Sequence, residues 1–264
     1  MESSMKRPIV ILFISVFLLI ALSSPMATAQ ERMMLPEKYL ELPTANMNVQ
    51  NLVPLGIVKK VAMHKARVLW GQVTPGEPIA LSDEDGNLAY YMCPFHIGPG
   101  PFPEYKQIIK KVRQGRSLVN AVHKGYAPPQ SDHQKALKDA KSRELGIGEY
   151  GTVYVAATYD RFPIPLVSHY LSPFYLKGDL AWQKAKEVLG GNPHLTRMYF
   201  LGERGTFFEF ESGSNSVTVH AHSLHVEPVQ RIPHTVPSQE HLKHLKDEWN
   251  RLVEDATLTE GGGS

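Results

Sequence analysis

The chain has 264 residues, a formal net charge of +2, 42% apolar residues and a single cysteine. That balance lies too near neutral for the basic footprint of a nucleic-acid binder or of a protein held on an anionic membrane surface. With Cys93 alone, no intrachain disulfide can form, so the fold must rest on packing.

The first 29 residues read as a secretion signal. Lys6 and Arg7 form a basic start, residues 9–22 are apolar apart from Ser15, and Ala27-Thr28-Ala29 offers the small residues a signal peptidase accepts before Gln30. The apolar run is shorter than the ~20 residues a bilayer span requires. No stable membrane insertion is therefore expected once the signal is cleaved, and no cysteine at the cleavage point offers a lipid anchor. Loss of Lys6, Arg7 and Glu2 with the signal lowers the net charge from +2 to +1. The expected location is outside the cytoplasm, periplasmic or secreted, and the lack of disulfides fits a prokaryotic envelope.

Residues 30–53 carry no sustained period and read as an extended lead-in. Over 54–70, Val58, Val61, Ala62, Val68 and Leu69 recur at three- and four-residue steps, which predicts a core-facing helix. Pro75-Gly76 stops it. A strand over 78–82, the turn Ser82-Asp83-Glu84-Asp85-Gly86-Asn87 and a strand over 88–95 then predict a hairpin. Two glycines and three prolines at 97–103 break regular structure, and a helix follows over 104–123, with Gly115 as a candidate break. Another helix, mostly solvated, is expected over 130–145. Residues 97–148 thus form a helical insertion. The β-branched and aromatic run 151–159 predicts a buried strand, closed by Pro163 and Pro165.

After a linker-like stretch over 166–178, Asp179 can cap a helix that ends at Gly190-Gly191-Asn192-Pro193. Strands are expected over 195–202, 206–211 and 216–226. The order helix, strand, strand, strand therefore occurs twice, over 54–165 and 166–230. The expected fold is α+β: two units of a helix and a three-stranded antiparallel sheet, the first carrying the insertion. A C-terminal helix within 231–256, with Leu242, Leu245, Trp249 and Leu252 on one side, docks on this body, and 257–264 is expected as a flexible tail.

Several constellations invite chemistry. His220 and His222, alternating on a predicted strand, project to one face about 6–7 Å apart, a spacing at which two imidazoles can share Zn or Cu. Solvated strand positions account for the same letters. The Asp83–Asn87 stretch resembles a calcium loop, yet its sixth and twelfth positions are Leu88 and Pro94, where glycine and a bidentate glutamate are required. Cys93 as the nucleophile of a thiol hydrolase needs an electropositive notch and a nearby base. Its flanks, Met92 and Pro94 within a strand-like run, instead predict a small buried hydrophobe. A G-x-S-x-G elbow, a Walker loop, an H-E-x-x-H helix and a dinucleotide fingerprint are missing from the sequence.

The alanine-containing helix 61–70, the Asp83-Glu84-Asp85-Gly86-Asn87-Leu88-Ala89-Tyr90-Tyr91 hairpin and the Gly151-Thr152-Val153-Tyr154-Val155 strand, in that order, resemble the propeptide-like domains of streptopain-type secreted cysteine peptidases. More loosely, they are similar to cystatin-like and PepSY domains. The resemblance implies a non-catalytic module that engages a protein partner such as a secreted peptidase, as an inhibitor or propeptide-like regulator. No Cys/His peptidase domain follows here, so no catalytic residue carries over. Loops on a rigid sheet commonly carry recognition, which makes Asp83, Asp85, Asn87, Glu203 and Arg204 the expected protein contacts. The alternatives are an envelope metal-binding protein using His220 and His222, and a thiol hydrolase centred on Cys93.

Overall fold

In a computed structural model of the chain, which describes residues 45, 49–123, 130–229 and 238–261, the expected α+β organisation is present, with the strands gathered into a single mostly antiparallel sheet. The expected signal over 1–29 and the last three residues lie outside the described residues. Among the described residues, no helix is long and apolar enough to cross a membrane.

Helix α1 (Leu55–Trp70) ends at Gly71, whose φ of 73° suits the backbone turn that follows. It buries Val58, Val61, Ala62 and Ala66. Val68 and Leu69, expected in the core, are 66% and 40% exposed: Val68 lies at the margin of the buried stripe, and Leu69 is on it but in the last turn, next to the helix end at Trp70. Two short strands, β1 (Val73–Pro75) and β2 (Ile79–Ser82), then pair antiparallel along one edge of the long β3 (Leu88–Ile97). β1 was not expected: Pro75 and Gly76 interrupt the edge instead of leading away from it. The other edge of β3 takes β4 (Tyr150–Ala156), with Cys93 opposite Val153. Past β4, residues 51–53 join the sheet, since the Val53 N–H donates to the Ala157 carbonyl at 2.9 Å and Tyr159 N–H to the Asn51 carbonyl at 3.0 Å. The end of the lead-in is therefore docked.

A strand that sequence periodicity missed, β5 (Leu166–Ser168), lies on the outer edge of β4. The second triplet is β6 (His194–Phe200), β7 (Thr206–Ser212) and β8 (Asn215–His220), all antiparallel. The two triplets do not form separate sheets. Ser82 of β2 pairs in parallel with Tyr199 of β6, giving the order β5-β4-β3-β2-β6-β7-β8.

Each face of this sheet has its own helical layer. Tyr91, Cys93, Phe95, Val153 and Val155 share one face and pack with α1 and with Trp249 of the C-terminal helix. That last helix runs Gln239–Gly261, so it continues through the first part of the expected tail. The fully buried Trp249 indole donates to the Arg161 carbonyl at 3.2 Å. The opposite face carries α2 (Tyr105–His123), α3 (Gln130–Leu145) and α4 (Pro173–Leu189). Gly115 does not break α2. A Cβ there would collide with the backbone of Glu144, so glycine lets α2 and α3 approach closely.

Helix α4 begins six residues before the expected cap. Pro173, whose missing N–H costs nothing in the first turn, starts it after Ser172. Asp179 lies inside the helix, 2% exposed, and holds the insertion in place. Its Oδ2 accepts from Arg113 Nε at 3.2 Å and Arg116 Nη1 at 3.3 Å, while Arg116 Nη2 donates to the Leu176 carbonyl at 2.7 Å. Tertiary charge pairing, not capping, explains this aspartate.

Candidate functional site

The expected contact residues separate into two groups. At the β2–β3 turn, Asp83 is 5% exposed and its carboxylate is consumed locally. Oδ1 accepts the backbone N–H of Asp85 at 3.1 Å and of Asn87 at 3.0 Å, and Oδ2 accepts Arg161 Nη2 at 2.9 Å. Gly86, with a φ of 82°, closes the turn against the Arg197 guanidinium of β6. This turn is thus an internal joint between the two strand triplets, with Asp85 at its exposed point and Asn87 half-buried. Glu203 and Arg204 differ. They occupy the exposed turn Gly202–Arg204 between β6 and β7.

His220 is the last residue of β8, and the expected strand over 216–226 stops there because the chain reverses through residues 221–225. The Ser223 N–H donates to His220 Nδ1 at 3.1 Å, which makes Nδ1 the acceptor and puts the ring proton on Nε2. Nε2 then donates to the Arg204 carbonyl at 3.1 Å. Gly205, with a φ of 97°, leaves the room the imidazole needs: a Cβ there would stand 2.9 Å from Nε2. Nε2 of His220 therefore ties the β8 end to the β6–β7 turn, while Nδ1 is taken up by the reversing turn at Ser223. His222 follows in the reversing turn, exposed, so the shared strand face on which a metal pair was expected ends at His220. No group of three or more His, Cys, Asp or Glu suited to a metal occurs among the described residues.

Cys93 is 3% exposed between α1 and the sheet, and desolvation pushes its thiol up to about 12, with Lys59 pulling weakly the other way. A thiol so placed stays protonated and shielded, the opposite of an activated nucleophile.

The two exposed candidates, the Gly202–Arg204 turn and the His220–His222 segment, meet at one groove. It measures about 560 Å3 and lies between α3, α4, the β5 edge and the ends of β6–β8. Its floor is made by Tyr154, Leu176 and Phe200, all nearly buried, with Tyr154 and Phe200 rings 4.9 Å apart. Burial raises the Tyr154 hydroxyl well above its ordinary value, with Tyr170 adding to the rise and a side-chain hydrogen bond to Thr206 opposing it. That bond ties β4 to the start of β7. The rim holds Leu166 and Tyr170, each 42% exposed, together with Lys141, Lys177 and His222.

Lys141, Lys177, Tyr154 and Tyr170 were not singled out in the sequence. They come from four separate segments, and in the sequence Lys141 reads as a solvated helix position while Lys177 falls in the linker-like stretch over 166–178. A second cavity, about 720 Å3 beside α2 and the α3–β4 turn, includes Lys111 and Glu149, which satisfy each other at 2.7 Å. The groove is the place where exposed apolar surface and unspent charge coincide. No protein-family model, curated protein or solved structure matches this chain.

Proposed function

We propose that the mature chain is an exported, non-catalytic protein-binding module of a prokaryotic envelope, of the peptidase-inhibitor or propeptide-regulator kind, which grips its partner with the groove beside β5. The observation that carries this reading is the groove itself: an aromatic and aliphatic floor of Tyr154, Leu176 and Phe200 with an exposed rim of Leu166 and Tyr170. Binding surfaces combine such a largely preformed apolar patch with a few polar groups that fix orientation. The buried, protonated Cys93 favours this over a thiol hydrolase, and the two committed nitrogens of His220 favour it over a metal protein.

The test compares the wild-type chain with a Leu166→Ala/Tyr170→Ala variant, each immobilised in an envelope extract. The expected result is a defined partner held by the wild type, lost from the variant, and rebinding when purified. If that partner is a peptidase, its activity falls in proportion to added wild-type chain. Equal recovery on both chains, or no partner at all, overturns the proposal.

A further inference from the structure

We infer that the groove selects an extended acidic segment of the partner, with one bulky apolar side chain seated on the Tyr154–Phe200 floor and its flanking carboxylates on Lys141 and Lys177. This rests on the protein-binding reading and names the chemistry of what is bound.

Charge is the first support. Lys141, Lys177 and His222 surround the groove, and among the described residues neither lysine takes part in an ion pair. The one acid in the lining, Glu144, is turned towards Arg116, with 3.6 Å between Oε1 and Nε. Its charge is thereby drawn into the Arg113–Arg116–Asp179 network. A partly enclosed site with cations on its rim concentrates anions more strongly than lysines on a flat surface.

Shape is the second. A volume of about 560 Å3 falls within the usual range of ligand pockets, and its floor is nearly buried aromatic and aliphatic surface. A bare anion would leave that floor wet. The occupant must therefore carry apolar bulk as well as negative charge.

The sheet edge is the third. β5 stands last in the strand order, so it pairs only with β4, and its Leu166 and Ser168 line the groove. An edge strand presents unpaired N–H and C=O groups that an extended peptide can meet with its own backbone. A fatty acid or another small amphiphile satisfies the charge and the floor but leaves that edge unmatched.

The measurement is fluorescence anisotropy of the purified chain with a labelled Gly-Asp-Asp-Leu-Asp-Asp-Gly peptide, against Asn- and Lys-substituted counterparts. Saturable binding of the acidic peptide is expected, weakening as salt rises, and roughly tenfold tighter than that of the Asn peptide. The Lys141→Glu/Lys177→Glu double variant loses roughly tenfold or more in affinity, whereas Lys246→Glu on the opposite face behaves as wild type. Circular dichroism checks that both variants fold, and Lys141→Gln/Lys177→Gln gives an intermediate loss.

Equal binding of the Asn peptide, an unaffected double variant, or decanoate binding more tightly than the peptide would each overturn the inference. An acidic peptide that fails to bind, while Leu166→Ala/Tyr170→Ala still releases the captured partner, removes the ligand class and leaves the groove reading standing. A partner held equally by wild type and the Leu166→Ala/Tyr170→Ala variant removes the groove reading itself.

Discussion

At the scale of single residues, burial decides what a side chain can do. Cys93 sits on the α1 face of β3, and desolvation holds its thiol near 12 in the fold, against about 9 when free. A group whose folded value is raised keeps its full contribution below the unfolded value and loses it as pH climbs towards the folded one. Stability should therefore fall between about pH 9 and 12, with the unfolded thiol giving up its proton first. Urea titrations at intervals across that range check this, and Cys93→Ala should make the decline shallower. The same burial predicts very slow modification by a thiol reagent at pH 8 until the protein unfolds. The sequence made the inert cysteine legible, because its strand-like flanks already argued for burial. It did not make Asp83 legible as an internal residue. A turn-forming aspartate has the same local signature whether it points at solvent or at Arg161, 78 positions away.

Among the secondary-structure elements, the boundaries went wrong where long-range contacts outweigh local preference. Periodicity located α1, the hairpin and the second strand triplet, all of which depend on alternation within a few residues. It missed β1 and β5, three residues each, which exist only because β3 and β4 offer them an edge. It also misplaced the start of α4, because Asp179 is a good capping residue that this fold uses for another purpose. The helical insertion is joined to α4 by that aspartate, with Arg113 24% and Arg116 18% exposed at their side chains. Asp179→Ala would remove the buried carboxylate that Arg113 and Arg116 share and leave Arg116 the longer Glu144 contact at 3.6 Å, so the cost is expected to approach the about 3–5 kcal/mol of breaking a buried pair. Chemical denaturation should register that loss. Adding Arg113→Met and Arg116→Met to the variant should recover much of it, since the uncompensated charges go too.

For the whole molecule, the expected α+β class is present, and the expected helix-strand-strand-strand order is recovered only with β1 and β5 set aside, while the strands of both triplets form one sheet. The Ser82–Tyr199 pairing and the Tyr154–Thr206 hydrogen bond cross between the triplets, and the Tyr90 and Phe200 rings meet at 5.3 Å. Unfolding should accordingly be one cooperative transition. The tryptophans allow a direct check: Trp70 and Trp249 report the α1 layer, and Trp182, whose Nε1 donates to the Pro193 carbonyl at 2.8 Å, reports the second triplet. Variants retaining Trp249 or Trp182 as their only tryptophan should show coincident denaturation midpoints with far-ultraviolet circular dichroism. Two separated midpoints would mean that the halves fold independently. The groove was the least legible part of the molecule, because its lining is assembled from α3, α4, β4, β5 and the turns around β6–β8. Only its His220–His222 margin carried a local signal, and the expected contacts Glu203 and Arg204 lie beside it, between the lining residues Gly202 and Gly205.

The parallel joint between β2 and β6 also bears on how the two triplets differ in sequence. Joining like strands side by side relates the triplets by a twofold axis lying in the sheet, so α1 and α4 come to opposite faces. In the first half α1 covers one face and the insertion with α4 covers the other, and every residue of β4 is buried. In the second half α4 covers one face only, and β8 alternates between buried and accessible positions towards its end. Matching positions in the two triplets therefore answer to different solvents: half of those that must be apolar in the first are free to be Arg197, Glu209 or Thr218 in the second. The two triplets can therefore share an order of elements without sharing a pattern of letters.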